Sequence, residues 1–176
     1  MQSLMIVSVL GPQSPSSAND LVTLIADCNC NVLDSRTSLL AGEFCGTFMV
    51  VGTWSALAKF EHALPILANK LQLQATLKRV EQRENTENAI PYSVLIVAHD
   101  APGLLREITQ FFLEQNMTVQ EMYSNVYASP HTGSATLVLN LTIHVAQSIN
   151  IALLREQFHM MCDELNVDAV LEPIKF

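Results

Sequence analysis

One order of apolar runs, turns and helical stripes occurs twice in this 176-residue chain. A duplicated order of this kind restricts the fold more than any single motif does. In the first copy Leu4–Leu10 is an apolar run that predicts a strand. Gly11–Ser17, rich in Pro and Ser, predicts a loop. Leu21, Leu24, Ile25 and Cys28 recur at i, i+3, i+4 and i+7, the stripe of an amphipathic helix, with Ser16 or Ser17 as its N-cap. Asn31–Leu40 and Phe44–Thr53 predict two strands around a hairpin turn at Ala41-Gly42-Glu43. Ser55 is placed to cap a second helix with its apolar face on Leu57, Phe60, Leu64, Leu67 and Leu71. Pro65 inside that stripe predicts a kink or break. Leu73–Val80 predicts the last strand.

The second copy begins with the β-branched run Val94–Val97, and a helix with Leu104, Ile108, Phe111 and Phe112 on one face follows. Thr118–Ala128 and Ser134–Val145 predict strands around the turn at 129–133. Ile151, Leu154, Phe158, Met161 and Leu165 mark a helix, and Val167–Glu172 a final strand. Individual residues repeat as well. Pro15 and Pro102 lie 87 apart, as do Asn29-Cys30-Asn31-Val32 and Asn116-Met117-Thr118-Val119. Thr47 and Thr136 lie 89 apart, which predicts a second hairpin turn about two residues longer. The alternating runs at Leu71–Leu77 and Leu165–Leu171 lie 94 apart.

Each copy therefore reads β-α-β-β-α-β. Right-handed crossovers place both helices on one face of an antiparallel four-stranded sheet, the ferredoxin-like arrangement. The expected class is α+β, with domains at 1–81 and 91–176. The polar, non-periodic stretch between them makes 82–90 a linker.

Composition narrows the function. Apolar residues make up 49% of the chain and charged ones 15%, enough to build cores. Net charge is −8, and the nine basic residues are scattered, with only Lys78, Arg79 and Arg83 loosely clustered. Direct nucleic-acid binding needs a concentrated basic footprint and is not expected. No basic leader precedes the first apolar run, and no run approaches the ~18 apolar residues of a membrane span. A cytoplasmic protein is expected. Cys28, Cys30, Cys45 and Cys162 form no Cys-x-x-Cys, so reduced, buried thiols are expected rather than a metal or redox site. His62, His99, His131, His144 and His159 form no His-x-x-x-His pair, and neither Gly-x-Ser-x-Gly nor a phosphate loop occurs. No enzyme activity and no cofactor are expected.

The most informative stretch is Tyr92–Ile108. A buried strand stops at His99-Asp100-Ala101-Pro102-Gly103, and a helix starts at once. Such a junction presents unpaired amides and the positive end of a helix dipole, which suits an anion. Asp100 beside it suits a cation, so the pair fits a free amino acid. Asp100 faces the ligand ammonium, or it simply caps the helix. Gly103 lets a carboxylate approach the amides of Gly103 and Leu104, or only tolerates the turn. Pro102 is read at a first helical position and His99 as a surface turn residue. By the 87 offset the first copy has Gln13 for Asp100 and Ser16 for Gly103, so its loop has lost the acidic partner. Exposed sheet faces and edges need cover, which predicts a homodimer or higher assembly.

The Asp-x-Pro-Gly turn at Asp100–Gly103, between first strand and first helix of βαββαβ, resembles the ligand loop of ACT domains, small regulatory modules that bind amino acids. Two such modules, one degenerate loop and Leu64-Pro65 in the second helix resemble the glycine cleavage system transcriptional repressor family. The resemblance implies a sensor of glycine or serine that represses through a DNA-binding transcriptional activator. It implies a ligand set of Asp100, Ala101, Pro102, Gly103 and Leu104, with a polar contact from Thr118 at the start of the second strand, beside the loop. Gln13 and Asn31 are the first-copy counterparts. The alternative is a regulatory or structural interaction module associated with an amino-acid biosynthetic enzyme.

Overall fold

The computed structural model describes residues 2–81, 89–130 and 133–174. The chain divides into two compact units, Met1–Glu84 and Asn85–Phe176. The first holds β1 (Gln2–Pro12), α1 (Ser17–Asp27), β2 (Asn31–Leu40), β3 (Glu43–Thr53), α2 (Trp54–Lys70) and β4 (Gln74–Val80). The second holds β5 (Ala89–His99), α3 (Leu104–Glu114), β6 (Thr118–Ala128), β7 (Ala135–Ala146), α4 (Ile151–Leu165) and β8 (Asp168–Pro173). Strand order is β2-β3-β1-β4 and β6-β7-β5-β8, with every neighbouring pair antiparallel. Each unit is therefore a ferredoxin-like α+β module. Most of the expected linker, residues 82–88, lies outside the described residues, while Ala89 and Ile90 already belong to β5.

Alternation sorts each central strand. Met5, Val7 and Val9 of β1 are buried with Leu21, Ile25, Leu57, Phe60 and Leu64 from the helices. Val94, Ile96 and Ala98 of β5 are buried with Ile108, Phe112, Leu154 and Phe158. Each unit thus has its own core. The edge strands β2 and β6 are exposed along almost their whole length.

The repeated asparagines have a backbone cause. Asn29 and Asn116 follow α1 and α3 with φ of 57° and 55°. Asn29 N–H bonds Ala26 C=O, and Cys30 N–H bonds Ile25 C=O. Asn116 and Met117 repeat this pattern onto Leu113 and Phe112. That is the Schellman closure, whose left-handed position favours Gly or Asn. Gln72 and Asn166 occupy the same position after α2 and α4.

Three local expectations are corrected. Helix α2 runs unbroken through Pro65, because that residue lies on the exposed side, where the carbonyl it deprives of a partner can meet solvent. Its cap is Thr53, whose Oγ1 accepts from Ala56 N–H at 3.2 Å, and not Ser55. Thr47 is not the counterpart of Thr136. Ser8 pairs with Thr47 while Leu95 pairs with Asn140, so Thr47 matches Asn140, 93 residues on. The turn Ala41–Gly42, with φ of 51° and 86°, has two residues between paired Leu40 and Glu43. The equivalent pair Tyr127 and Thr136 is separated by eight, making the second connection six residues longer rather than two. His131 and Thr132 in it lie outside the described residues.

Candidate ligand-binding loop

The loop at the end of β5 is anchored by Asp100 N–H, which donates to Ala135 C=O at 2.9 Å. Ala101–Leu104 then forms a turn closed by Leu104 N–H to Ala101 C=O at 3.3 Å. Gly103 has φ 94° and ψ −14°, the values of position i+2 of a type II turn, with Pro102 at i+1. Only glycine adopts that φ without strain, so Gly103 is required by the turn and not merely tolerated in it. It is also the N-cap of α3 and supplies no side-chain cap. Pro102 therefore precedes the cap instead of opening the helix.

Asp100, Ala101, Pro102 and Gly103 are exposed, as is His99. The capping alternative for Asp100 does not hold: its carboxylate bonds no backbone amide of α3, and no side-chain hydrogen bond holds it among the described residues. Leu104 N–H is engaged by the turn, and the first intrahelical bond is Glu107 N–H to Gly103 C=O at 3.1 Å. By helix geometry the amides left without an intrahelical partner near the loop are those of Gly103, Leu105 and Arg106. Arg106 was missed in the sequence. Its Nη2 lies 4.0 Å from where a side chain on Gly103 would begin. Helical side chains lean toward the N-terminus, so the i+3 spacing from Gly103 was the available signal. One loop thus carries a free carboxylate, uncommitted amides and a guanidinium that also faces Glu107 at 3.6 Å.

Thr118 is not beside this loop. It pairs with His144, which is paired in turn with Pro91, whereas the loop follows His99. Eight residues of strand separate the two positions, roughly 26 Å. The cause is topological: β6 runs parallel to β5, so it starts at the opposite end of the sheet. Beside the loop within the unit are Thr136, paired with His99, and Tyr127, paired with Thr136. Asn31 is displaced from Gln13 in the same way, pairing with Val51 opposite Leu4.

The first loop keeps the frame and changes the turn. Gln13 N–H bonds Gly42 C=O at 3.3 Å, and Ser17 N–H bonds Ser14 C=O at 3.1 Å. Ser16 is the N-cap, yet its side chain caps nothing and contacts Ser14 Oγ at 3.3 Å. Its φ of −94° and ψ of −10° are those of a type I turn. Types I and II differ by a flip of the central peptide, so the Ser16 N–H points away from the direction taken by the Gly103 N–H. It donates to Ser14 Oγ at 3.4 Å.

None of the four cysteines is a residue of either loop. Cys28 and Cys162 are buried, whereas Cys30 and Cys45 are only partly so. Burial raises the thiol pKa of Cys28, Cys30 and Cys162. Asp27 adds to this at Cys28 against an opposing Lys59, as does Asp163 at Cys162. A raised pKa leaves little nucleophilic thiolate at neutral pH. Among the described residues no cluster of three or more His, Cys, Asp or Glu is placed to hold a metal, and no helix is long and apolar enough to cross a membrane.

The ACT domain family model matches residues 3–78, from β1 into β4. The second unit repeats that topology and register. Both units have the ACT-type ferredoxin-like fold. It resembles the glycine cleavage system transcriptional repressors of Escherichia coli (strain K12) and Shigella flexneri. Each is 26% identical over 175 residues, 99% of this chain and 92% of the relative. Two crystal structures share the fold. One, provisionally named a glycine cleavage system transcriptional repressor, is 23% identical with a TM-score of 0.77, covering 100% of this chain and 99% of its own. The other, an unknown protein from Galdieria sulphuraria, is 17% identical with a TM-score of 0.80, covering 99% and 100%. At these identities the two show the fold alone.

Proposed function

We propose that this chain is a tandem ACT-domain protein and an amino-acid sensor, with glycine as the first candidate ligand. It acts without catalysis in the cytoplasm as a transcriptional repressor, through protein contact with a DNA-binding activator. The observation that carries the reading is the Asp100–Arg106 segment. A carboxylate free of internal bonds stands there with open amides and a cation, matching an ammonium and a carboxylate on one small molecule. Asp100 takes the ammonium; Gly103 and the amides and guanidinium that follow take the carboxylate. Ala101, Pro102 and Leu104 hold the turn. Thr118 joins such a site only if another copy of the chain delivers it, which agrees with assembly as a homodimer or higher. Gln13 and Asn31 then have a structural role. The regulatory role agrees with the repressors that the chain resembles.

Titration calorimetry with glycine, serine and larger amino acids tests the ligand. Binding heat is expected for glycine or serine at millimolar concentration or below, and none with either overturns the sensor reading. Light scattering on the same sample reads assembly, for which a mass near the 19.4 kDa monomer is the contrary result. The altered first loop favours a second reading, an interaction module attached to an amino-acid biosynthetic enzyme. Affinity capture separates the two: a DNA-binding protein supports the repressor and an enzyme supports the alternative.

A further inference from the structure

The two helix layers are built differently. In the first unit α1 and α2 pack closely, whereas the backbones of α3 and α4 stand farther apart. The spacers are three phenylalanines. Phe111 lies 5.2 Å from Phe112 and 6.0 Å from Phe158, and Phe112 lies 6.1 Å from Phe158, between ring centroids. Their first-unit counterparts are Leu24, Ile25 and Leu64. The first unit instead takes its aromatic bulk from Phe60 on α2 and from Phe44 and Phe48 on β3, the latter two closing over Gly46.

The wedge leaves an open groove of about 700 Å³ above the phenylalanines, between α3 and α4. Phe111, Met161 and Leu165 lie along it with Met160, which is 57% exposed. Glu114 borders it on α3 and Glu164 on α4. Arg106 is matched by Glu107 at 3.6 Å. Gln110 Nε2 donates to Glu114 at 2.9 Å, but among the described residues no ion pair neutralises Glu114 or Glu164, so the groove's apolar residues lie between two carboxylates without a cationic partner. Methionine side chains adapt to irregular apolar partners. From Arg106 to Glu114 the groove runs roughly 12 Å, two turns of a helix. The first unit lacks the arrangement, because Lys70 stands where Glu164 does and Ile66 where Met160 does.

We propose that the α3–α4 groove docks a basic amphipathic helix of a partner protein. Its apolar stripe lies on the methionine and phenylalanine floor, and Lys or Arg on its two flanks meets Glu114 and Glu164. The proposal rests on the reading that the chain works through protein contact; the groove adjoins the amino-acid loop at Arg106 but is tested apart from it.

The probe is a synthetic peptide of about 18 residues, long enough to hold a helix, with Leu at helical spacing and Lys on both flanks. It is titrated into the isotope-labelled full chain and followed by NMR. Shifts are expected to centre on Gln110, Glu114, Gln157 and Glu164. The E114K/E164K variant is expected to weaken binding at least tenfold. The control D20K/D27K, on α1, also moves the net charge from −8 to −4 and should leave affinity within twofold. Equal weakening by both pairs, shifts centred on the first unit, or no binding overturns the groove. Glycine heat without peptide binding sinks the groove alone, and peptide binding without glycine heat sinks the sensor alone.

Discussion

Phe112→Ala is expected to cost the second unit about 3–5 kcal/mol. Phe112 has no exposed surface and touches both neighbouring phenylalanine rings. Its removal leaves a cavity that Phe111 and Phe158 cannot close without leaving their own contacts. For a unit of this size the loss corresponds to a melting shift of roughly 12 °C or more. The two cores share no residue, so the damage should stay local. Hydrogen exchange is the decisive readout. Amides of β5 and β7 should lose protection while those of β1 and β3 keep it. Ile25→Ala, at the equivalent position of the first unit, should give the reverse pattern at about 2–5 kcal/mol. Parallel loss of protection in both units by either variant would show one cooperative structure and sink the expectation.

Asp100→Ala is expected to weaken glycine binding about 10- to 100-fold. A hydrogen bond to a charged group contributes about 1.5–3 kcal/mol, and each 1.4 kcal/mol is tenfold. Stability should change by no more than about 0.5 kcal/mol, because the side chain is exposed and caps nothing. Gly103→Ser is the companion. Serine at φ 94° is strained, so the turn should relax to the type I form that Ser16 already shows. That flips the peptide at the proposed carboxylate site and should abolish most binding at a stability cost of about 1 kcal/mol. Calorimetry with glycine and thermal unfolding measure both quantities. Unchanged affinity in Asp100→Ala would remove the carboxylate from the site.

The module was legible in the sequence because its determinants are local. Period-2 runs gave the central strands, helical stripes gave four helices, and the matching Asn29 and Asn116 mark one closure that needs a left-handed residue. Register was not legible. In a strand that alternates apolar and polar residues one Thr resembles another, and only pairing with β1 and β5 separates Thr47 from Thr136. The end of the sheet on which a residue falls was hidden too. Thr118 follows α3 closely in the chain, yet a parallel crossover carries it to the far end. Pro65 misled because solvent exposure, invisible in the stripe, decides whether a proline breaks a helix. Arg106 was hidden because its value lies in a side chain that leans back over a glycine.

The contrast between Ser16 and Gly103 bears on stoichiometry. Duplication supplied two modules of one topology, but their loops differ in the Asp100 position and in the orientation of one peptide. On the reading proposed above, only the loop with glycine turns its amide outward to a ligand. Each chain then takes up one amino acid, not two, and a dimer takes up two at sites that are identical by symmetry. A calorimetric stoichiometry near one per chain, with a single class of affinity, would be the imprint of that one glycine.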